Sequence, residues 1–462
     1  MGIYEDFLSA KLPRAAMRGQ EIDEATLPEA LFDFQRHCAA FAVAHGAAGI
    51  YLDTGLGKTA IELAYAQAVS EIEGGAPVLI LAPLAVAPQI VREGARFGIP
   101  ARPVREAAEV RPGINVCNYD RLHKIDPAAF VGVVLDEASI LKSFNGKTTR
   151  ALIEAFRGHR WRMAATATPA PNDHMELGQQ AEFLGVMESN EMLMRWFIAD
   201  QTQMGRYRLK AHGERDFWDW MASWARLAQS PEDMGFDGAR YVLPALKVEQ
   251  HRTYADVRPI EGMLFAADVS ATAVHDIKRQ TTAARADVVA ALVSAEPAEA
   301  WVIWCDTDYE ADALAARLCK HRMVEVRGSM SIEQKEASLD LFSSGQANIM
   351  VTKPSICGYG LNWQHAARMA FVGRSFSYES WYQAVRRCWR FGQTRPVHVH
   401  IAVAEGEDQI GTVIDRKAGD HLRMKRAMTE AMFRARGLDR SALRAYNPTH
   451  LGRLPTWLQF AV

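Results

Sequence analysis

The sequence predicts an α/β protein with two tandem domains, each on a parallel sheet, joined by a mainly helical segment. Three observations predict it. Residues 28–184 alternate short apolar runs with helical patterns, the runs falling at 48–52, 78–82, 114–118, 131–135 and 161–165. A second alternation has runs at 301–305, 323–326, 349–352, 369–372 and 397–403. Between the two, residues 185–285 carry helical periodicity and little strand signal. Apolar runs without polar alternation are strands buried on both faces, as in parallel sheets covered by helices. The expected units are a segment 1–27, a domain 28–184, a connector 185–285, a domain 286–435 and a tail 436–462.

In chain order, the first signal with chemistry is Asp53-Thr54-Gly55-Leu56-Gly57-Lys58-Thr59. It follows an apolar run and opens a helical pattern, the context of a phosphate-binding loop. Glycines let backbone N–H groups close on phosphate oxygens, and the helix N-terminus favours an anion. Lys58 would then reach β- and γ-phosphates, and Thr59 would ligate Mg²⁺. Leu52 stands where the general pattern has its first glycine, so taken alone the segment also reads as a glycine turn.

The next run, 131–135, ends in Asp136 and Glu137. Asp136 at a strand tip suits Mg²⁺, and Glu137 suits orienting and deprotonating water. A surface acidic pair after a strand has the same composition, but its position after a Lys-Thr loop favours catalysis. In the connector, Phe217, Trp220, Met221 and Trp224 recur at helical spacing and predict a core-facing helix. Arg206, Tyr207, Arg208, Lys210 and His212 mix cations with aromatics, which suits either a solvated loop or a grip on single strands. In the second domain, Gln383, Arg387 and Arg390 fall at i, i+4 and i+7, so one helix would present all three on one face. Such a stripe suits arginine fingers acting on the γ-phosphate.

Composition sets the bounds. The chain has 462 residues, 49% hydrophobic and 23% charged, the proportions of a globular protein. Its 53 basic and 55 acidic side chains nearly cancel, so any polymer-binding groove must rely on a local field. The six cysteines form no CxxC pair, and no histidine cluster has zinc-ligand spacing along the chain. No apolar run approaches the ~20 residues that span a bilayer. The expected setting is the cytoplasm.

In this order, the motifs resemble the superfamily-two helicases and translocases of the Swi/Snf-like branch, over about residues 30–420. Residues 53–59 are similar to motif I, and 136–139 to motif II, as Asp-Glu-Ala-Ser in place of the DEAD/DEAH form. Thr166-Ala167-Thr168-Pro169 with Asn172 is similar to motif III, and residues 383–393 to the Gln-Ala-x-x-Arg-x-x-Arg-x-Gly-Gln form of motif VI. Residues 31–35 resemble the Q motif, which implies that Gln35 reads adenine. Pro83 falls in motif Ia and Tyr119 in motif Ib, which implies contact with a nucleic-acid backbone. Arg327-Gly328-Ser329, followed by Phe342, resembles the block after motif IV. Residues 352–362 resemble motif V at their Gly-x-Gly-Leu-Asn end but depart from the branch at their start. That motif implies polymer contacts by Thr352 and Asn362 and a nucleotide contact by Gly360. The short chain resembles helicase-like proteins of phages and prophages. The resemblance implies two RecA-like domains with ATP and Mg²⁺ in the cleft between them, and DNA across their top. An RNA helicase and an ATP-gated clamp without motor activity are the competing readings.

Overall fold

A computed structural model describes residues 14–83, 86–143, 146–199, 207–253, 271–357, 362–375, 377–404 and 408–435. The first sheet takes β1 (Ala47–Leu52), β2 (Val78–Ala82), β3 (Ala101–Pro103), β4 (Ile114–Asn118), β5 (Gly132–Asp136) and β6 (Trp161–Ala165). After a small antiparallel ribbon of β7 (Phe197–Ala199) and β8 (Tyr207–Leu209), a seventh strand, β9 (Ala225–Ala228), joins it. The order is β3-β4-β2-β5-β6-β1-β9, with every neighbouring pair parallel. β1, β2, β4, β5 and β6 are buried along their whole length. Helices Asp33–His45, Lys58–Ile72 and Leu177–Leu184 supply the apolar cover that those strands require.

The second sheet takes β10 (Leu246–Thr253), β11 (Trp301–Trp304), β12 (Met323–Val326), β13 (Ile349–Thr352), β14 (Arg368–Phe371) and β15 (Val397–Ala404). Its order is β10-β15-β14-β11-β13-β12, again all parallel. The structure therefore has two parallel-sheet α/β domains. The connector is not only helical, because β9 completes the first sheet and β10 edges the second. Helix Ala271–Ala295 is tied to the second domain by a fully buried ion pair, Arg285 Nη1 to Glu310 Oε1 at 2.8 Å.

Two further features position the site. The predicted aromatic face forms in part: Phe217, Trp220 and Met221 lie on helix Glu214–Ala222, Trp224 follows its end, and all four are buried in the first core. The long helix Asp408–Ala435, expected as part of the second domain, returns to the first. Its Met424, Met428 and Met432 lie in the first domain's core, and Arg434 pairs with Asp219 at 2.7 Å. Nearer its start, Ile414 packs on Tyr378 of the second domain. The helix is thus a brace across both domains.

Candidate active site between the two domains

The order β5-β6-β1 places three strand ends side by side, and each carries one part of the site. Carboxyl ends of parallel strands form a crevice where ligands bind. After β1 the chain turns through 53–57 into helix Lys58–Ile72. Gly55 and Gly57 have φ of 96° and 76°. Both positions also lack room for a side chain. A Cβ on Gly57 would lie 2.2 Å from Gln35 Nε2, and one on Gly55 would lie 2.9 Å from the Phe391 nitrogen of the other domain. Lys58 Nζ donates to the Leu52 carbonyl at 2.9 Å, which holds the ammonium inside the loop. Burial lowers its pKa, opposed by Glu137, Asp53 and Asp136. Thr54 is half-buried in the loop, and Thr59 is half-buried in the first turn of the helix.

Gln35 takes a different place from the one expected. Its Nε2 donates to the Leu56 carbonyl at 3.0 Å, and its Oε1 accepts from Phe32 N at 3.0 Å. It is 5% exposed. This amide braces the loop from behind.

At the end of β5, Asp136 is buried, and its carboxyl is pushed up to about 7 by burial and by Glu137, with Lys58 opposing. Glu137 has φ 59° and ψ 54°, and it is the only non-glycine with positive φ among the described residues. A left-handed glutamate costs about 1–3 kcal/mol, strain that persists where surrounding contacts hold it and that clusters at functional sites. Those contacts are specific here. Glu137 Oε1 accepts from Thr166 Oγ1 at 2.6 Å and from Ser139 Oγ at 3.1 Å. Gln383 Nε2, from the second domain, lies 3.5 Å from Oε2. The end of β6 thus aims the glutamate that the end of β5 carries.

Behind these acids lies Glu62, fully buried on helix Lys58–Ile72. Neither of its carboxylate oxygens has a hydrogen-bond partner among the described residues. Burial, with Asp136 adding, raises its pKa well above the usual carboxylate range.

The second domain meets this site through the chain after Ser377. The expected single helical face across Gln383, Arg387 and Arg390 is corrected, because helix Tyr378–Val385 ends before the arginines. The Arg387 carbonyl accepts from Trp363 N at 3.0 Å, which draws the chain into a turn, and Cys388 is fully buried there. Arg387 still meets Gln383, with Nη2 donating to Oε1 at 2.9 Å and Nε to the carbonyl at 3.0 Å. Burial and Arg390 lower Arg387 to about 10, with Glu137 opposing. Arg390 is also lowered by burial, with Glu93 opposing.

A buried contact between the domains comes from Arg386, a residue that sequence reasoning passed over. Arg386 Nη2 lies 3.0 Å from Asp53 Oδ2 and donates to the Thr54 carbonyl at 2.9 Å. Tyr382 donates its hydroxyl to Asp53 Oδ1, and Lys425 Nζ of the brace helix lies 3.5 Å from Oδ2. Burial alone would raise the Asp53 pKa, but Arg386, Lys425 and Tyr382 together hold it well below the usual range. Nearby, Lys142 pairs with Glu379 across the same interface. One signal pointed to this: Asp53 follows a fully apolar strand, and a buried acid calls for a cation.

The four residues expected to touch a polymer separate. Tyr119 donates its hydroxyl to the Asp136 carbonyl at 2.8 Å, so it supports the strand end from inside the domain. Thr352 is 2% exposed and donates to the Val326 carbonyl at 2.9 Å, which removes it from any surface. Pro83 is half-buried at the end of β2, and Asn362 is exposed. Gly360 and Arg206 lie outside the described residues. Lys210 caps the carbonyls of Met194 and Arg195.

Residues 284–392 match the family model of the helicase conserved C-terminal domain. No curated protein matches the chain. Among solved structures, it is similar to the Sulfolobus solfataricus SWI2/SNF2 ATPase core in complex with dsDNA. That similarity has 15% sequence identity and a TM-score of 0.42, covering 92% of this chain and 98% of the other. No described helix is long and apolar enough to cross a membrane.

Proposed function

We propose that the protein hydrolyses ATP in the cleft between its two α/β domains and uses the cycle to translocate on DNA. One observation carries the reading. A phosphate-type loop and a strained, aligned Glu137 on one domain face Gln383, Arg386 and Arg387 of the other within one buried interface. The match of residues 284–392 to a helicase C-terminal domain supports the motor part.

The loop N–H groups and Lys58 would hold the β- and γ-phosphates, with Lys58 leaving the Leu52 carbonyl as phosphate oxygens replace it. The donor set suits Mg²⁺, since Thr59 and Asp136 offer only oxygen, and Asp136 is pushed up to about 7 by burial and Glu137, with the Lys58 ammonium opposing. When bound, Mg²⁺ supplies neutralising charge to the phosphates. Glu137 would take the proton of the attacking water, held in line by Thr166, Ser139 and Gln383. Gln383 and Arg387 would report domain closure to that carboxylate, and Arg387 and Arg390 would face the charge on the leaving phosphates. Closing and opening would then move a DNA strand held by both domains.

The test is steady-state ATP turnover with no polymer, single-stranded DNA, duplex DNA and RNA, followed by displacement of a triplex strand. DNA-stimulated turnover with ATP-dependent displacement is expected. Stimulation by RNA alone would replace DNA by RNA, and turnover without displacement would leave a clamp. Absence of turnover under every condition would overturn the reading.

A further inference from the structure

Outside the cleft, the free edge of the second sheet carries two imidazoles and a carboxylate. β10 pairs with β15 along all eight residues, with Glu249 opposite His400 and His251 opposite Ala402. Alternate residues share a face of a sheet, so Glu249, His251 and His400 stand together on one side. His251 Nε2 lies 3.0 Å from His400 Nδ1, and Glu249 Oε2 lies 3.7 Å from that same Nδ1. All three ligand atoms fall within 4.8 Å of one another. Ligands at zinc distances of 2.0–2.1 Å in a tetrahedron stand roughly 3.3 Å apart, and the two measured separations straddle that value.

The ligands also have suitable surroundings. His400 is buried, with its ring 5.8 Å from the ring of Trp301, so it is fixed in place. Burial and the neighbouring His251 lower its pKa, which keeps a lone pair available at neutral pH. Glu249 is exposed and has room to close on a cation. A second observation concerns the strand itself. Of the residues in β10, only Thr253 is buried. Apolar burial therefore does little to hold this edge, although β10 is where the chain enters the second sheet from the first domain.

We propose that Glu249, His251 and His400 form a site for a zinc-class divalent cation, with solvent as fourth ligand, that staples β10 to β15. The metal replaces the hydrogen bond between the two imidazoles, and the proton of that bond moves to the other nitrogen of its own ring. No redox change is involved, and the site takes no part in the proposed hydrolysis.

The experiment uses tag-free, full-length protein stripped with a chelator and titrated with Zn²⁺ against a chromogenic competitor. One equivalent is expected to bind. His251→Ala is expected to weaken it by at least about a hundredfold and Glu249→Gln by about tenfold. Zn²⁺ should also slow amide exchange in residues 246–253 of the wild type and not of His251→Ala. Absence of a tight equivalent in the wild type would overturn the proposal, as would unchanged affinity in either variant. The imidazoles would then be a hydrogen-bonded pair only. Glu249 is exposed, so Glu249→Gln keeps the test valid should His251→Ala fail to fold.

Discussion

Replacing Asp53 by asparagine removes one negative charge and keeps the shape of the side chain. The amide oxygen of the variant could still accept from Thr54 N and the Tyr382 hydroxyl. What disappears is the anion 3.0 Å from Arg386 and 3.5 Å from Lys425. At an effective dielectric near 20, each of those contacts attracts by about 5 kcal/mol. Much of that offsets the burial of three charges, and removing one partner of such a group costs about 3–5 kcal/mol. The low end of that range, about 3 kcal/mol, is the expected cost, because asparagine keeps both hydrogen bonds to its side-chain oxygen. The contact exists only while the domains are docked, so the loss falls on docking and not on either domain's core. That is on the order of a hundredfold in the docking equilibrium. Small-angle scattering on Asp53→Asn should show an expanded particle, with each domain's far-ultraviolet signal retained. A cycle with Arg386→Met should give a coupling of at least about 2 kcal/mol. A wild-type scattering profile with coupling below about 0.5 kcal/mol would refute the argument. The pH sign is fixed as well. Asp53 has a depressed folded pKa, so its contribution is present above its ordinary value of 3.8 and is lost only as pH falls through the lower folded value. Docking should therefore persist into acid.

The other predictions bear on turnover. Lys58→Ala should abolish ATP hydrolysis in a folded protein, measured by phosphate release. Glu137→Gln keeps the Thr166 and Ser139 contacts and removes the base, so nucleotide binding should survive while kcat falls by about a hundredfold or more. Arg387→Ala and Arg390→Ala should lower kcat at saturating ATP and DNA by on the order of 10³ if they act as fingers, whereas near-normal kcat would leave them structural. Asp136 has a folded pKa raised to about 7, so its contribution to stability is present below its ordinary value of 3.8 and is lost as pH rises through about 7. Binding with Mg²⁺ needs the ionised form, so nucleotide affinity in Mg²⁺ should rise with pH across neutrality, and that slope should vanish in EDTA.

What the sequence revealed about the fold depended on burial. β1, β2, β4, β5 and β6 are buried along their length, and such strands read as unbroken apolar runs. β9 is four residues with a half-buried Arg226, too short and mixed to show. β10 has the polar composition of an exposed edge and read as connector. In the brace helix, Met424, Met428 and Met432 share one buried face. Periodicity tells that a face is covered but not by which domain, and this helix packs on both.

The site divides along the same line. Features carried by one strand end were legible locally: the glycines and Lys58 after β1, and the acids after β5. What aligns them was not. Glu137 is aimed by Thr166 just after β6, twenty-nine residues on, and the Asp53 charge is met by Tyr382 and Lys425, more than three hundred residues away. Fixed spacing exposes only pairs that share one element. The misreading of the arginines follows from this. Helical spacing favoured Arg387 and Arg390, but the helix ends at Val385, and it is Arg386, next to that end, that reaches the loop. An anion buried beside the glycine loop is an unbalanced charge that a fold must answer from somewhere. Here the answer comes from the opposite domain and from the brace helix at once. The buried acid of one domain thereby becomes the residue that draws the second domain onto it.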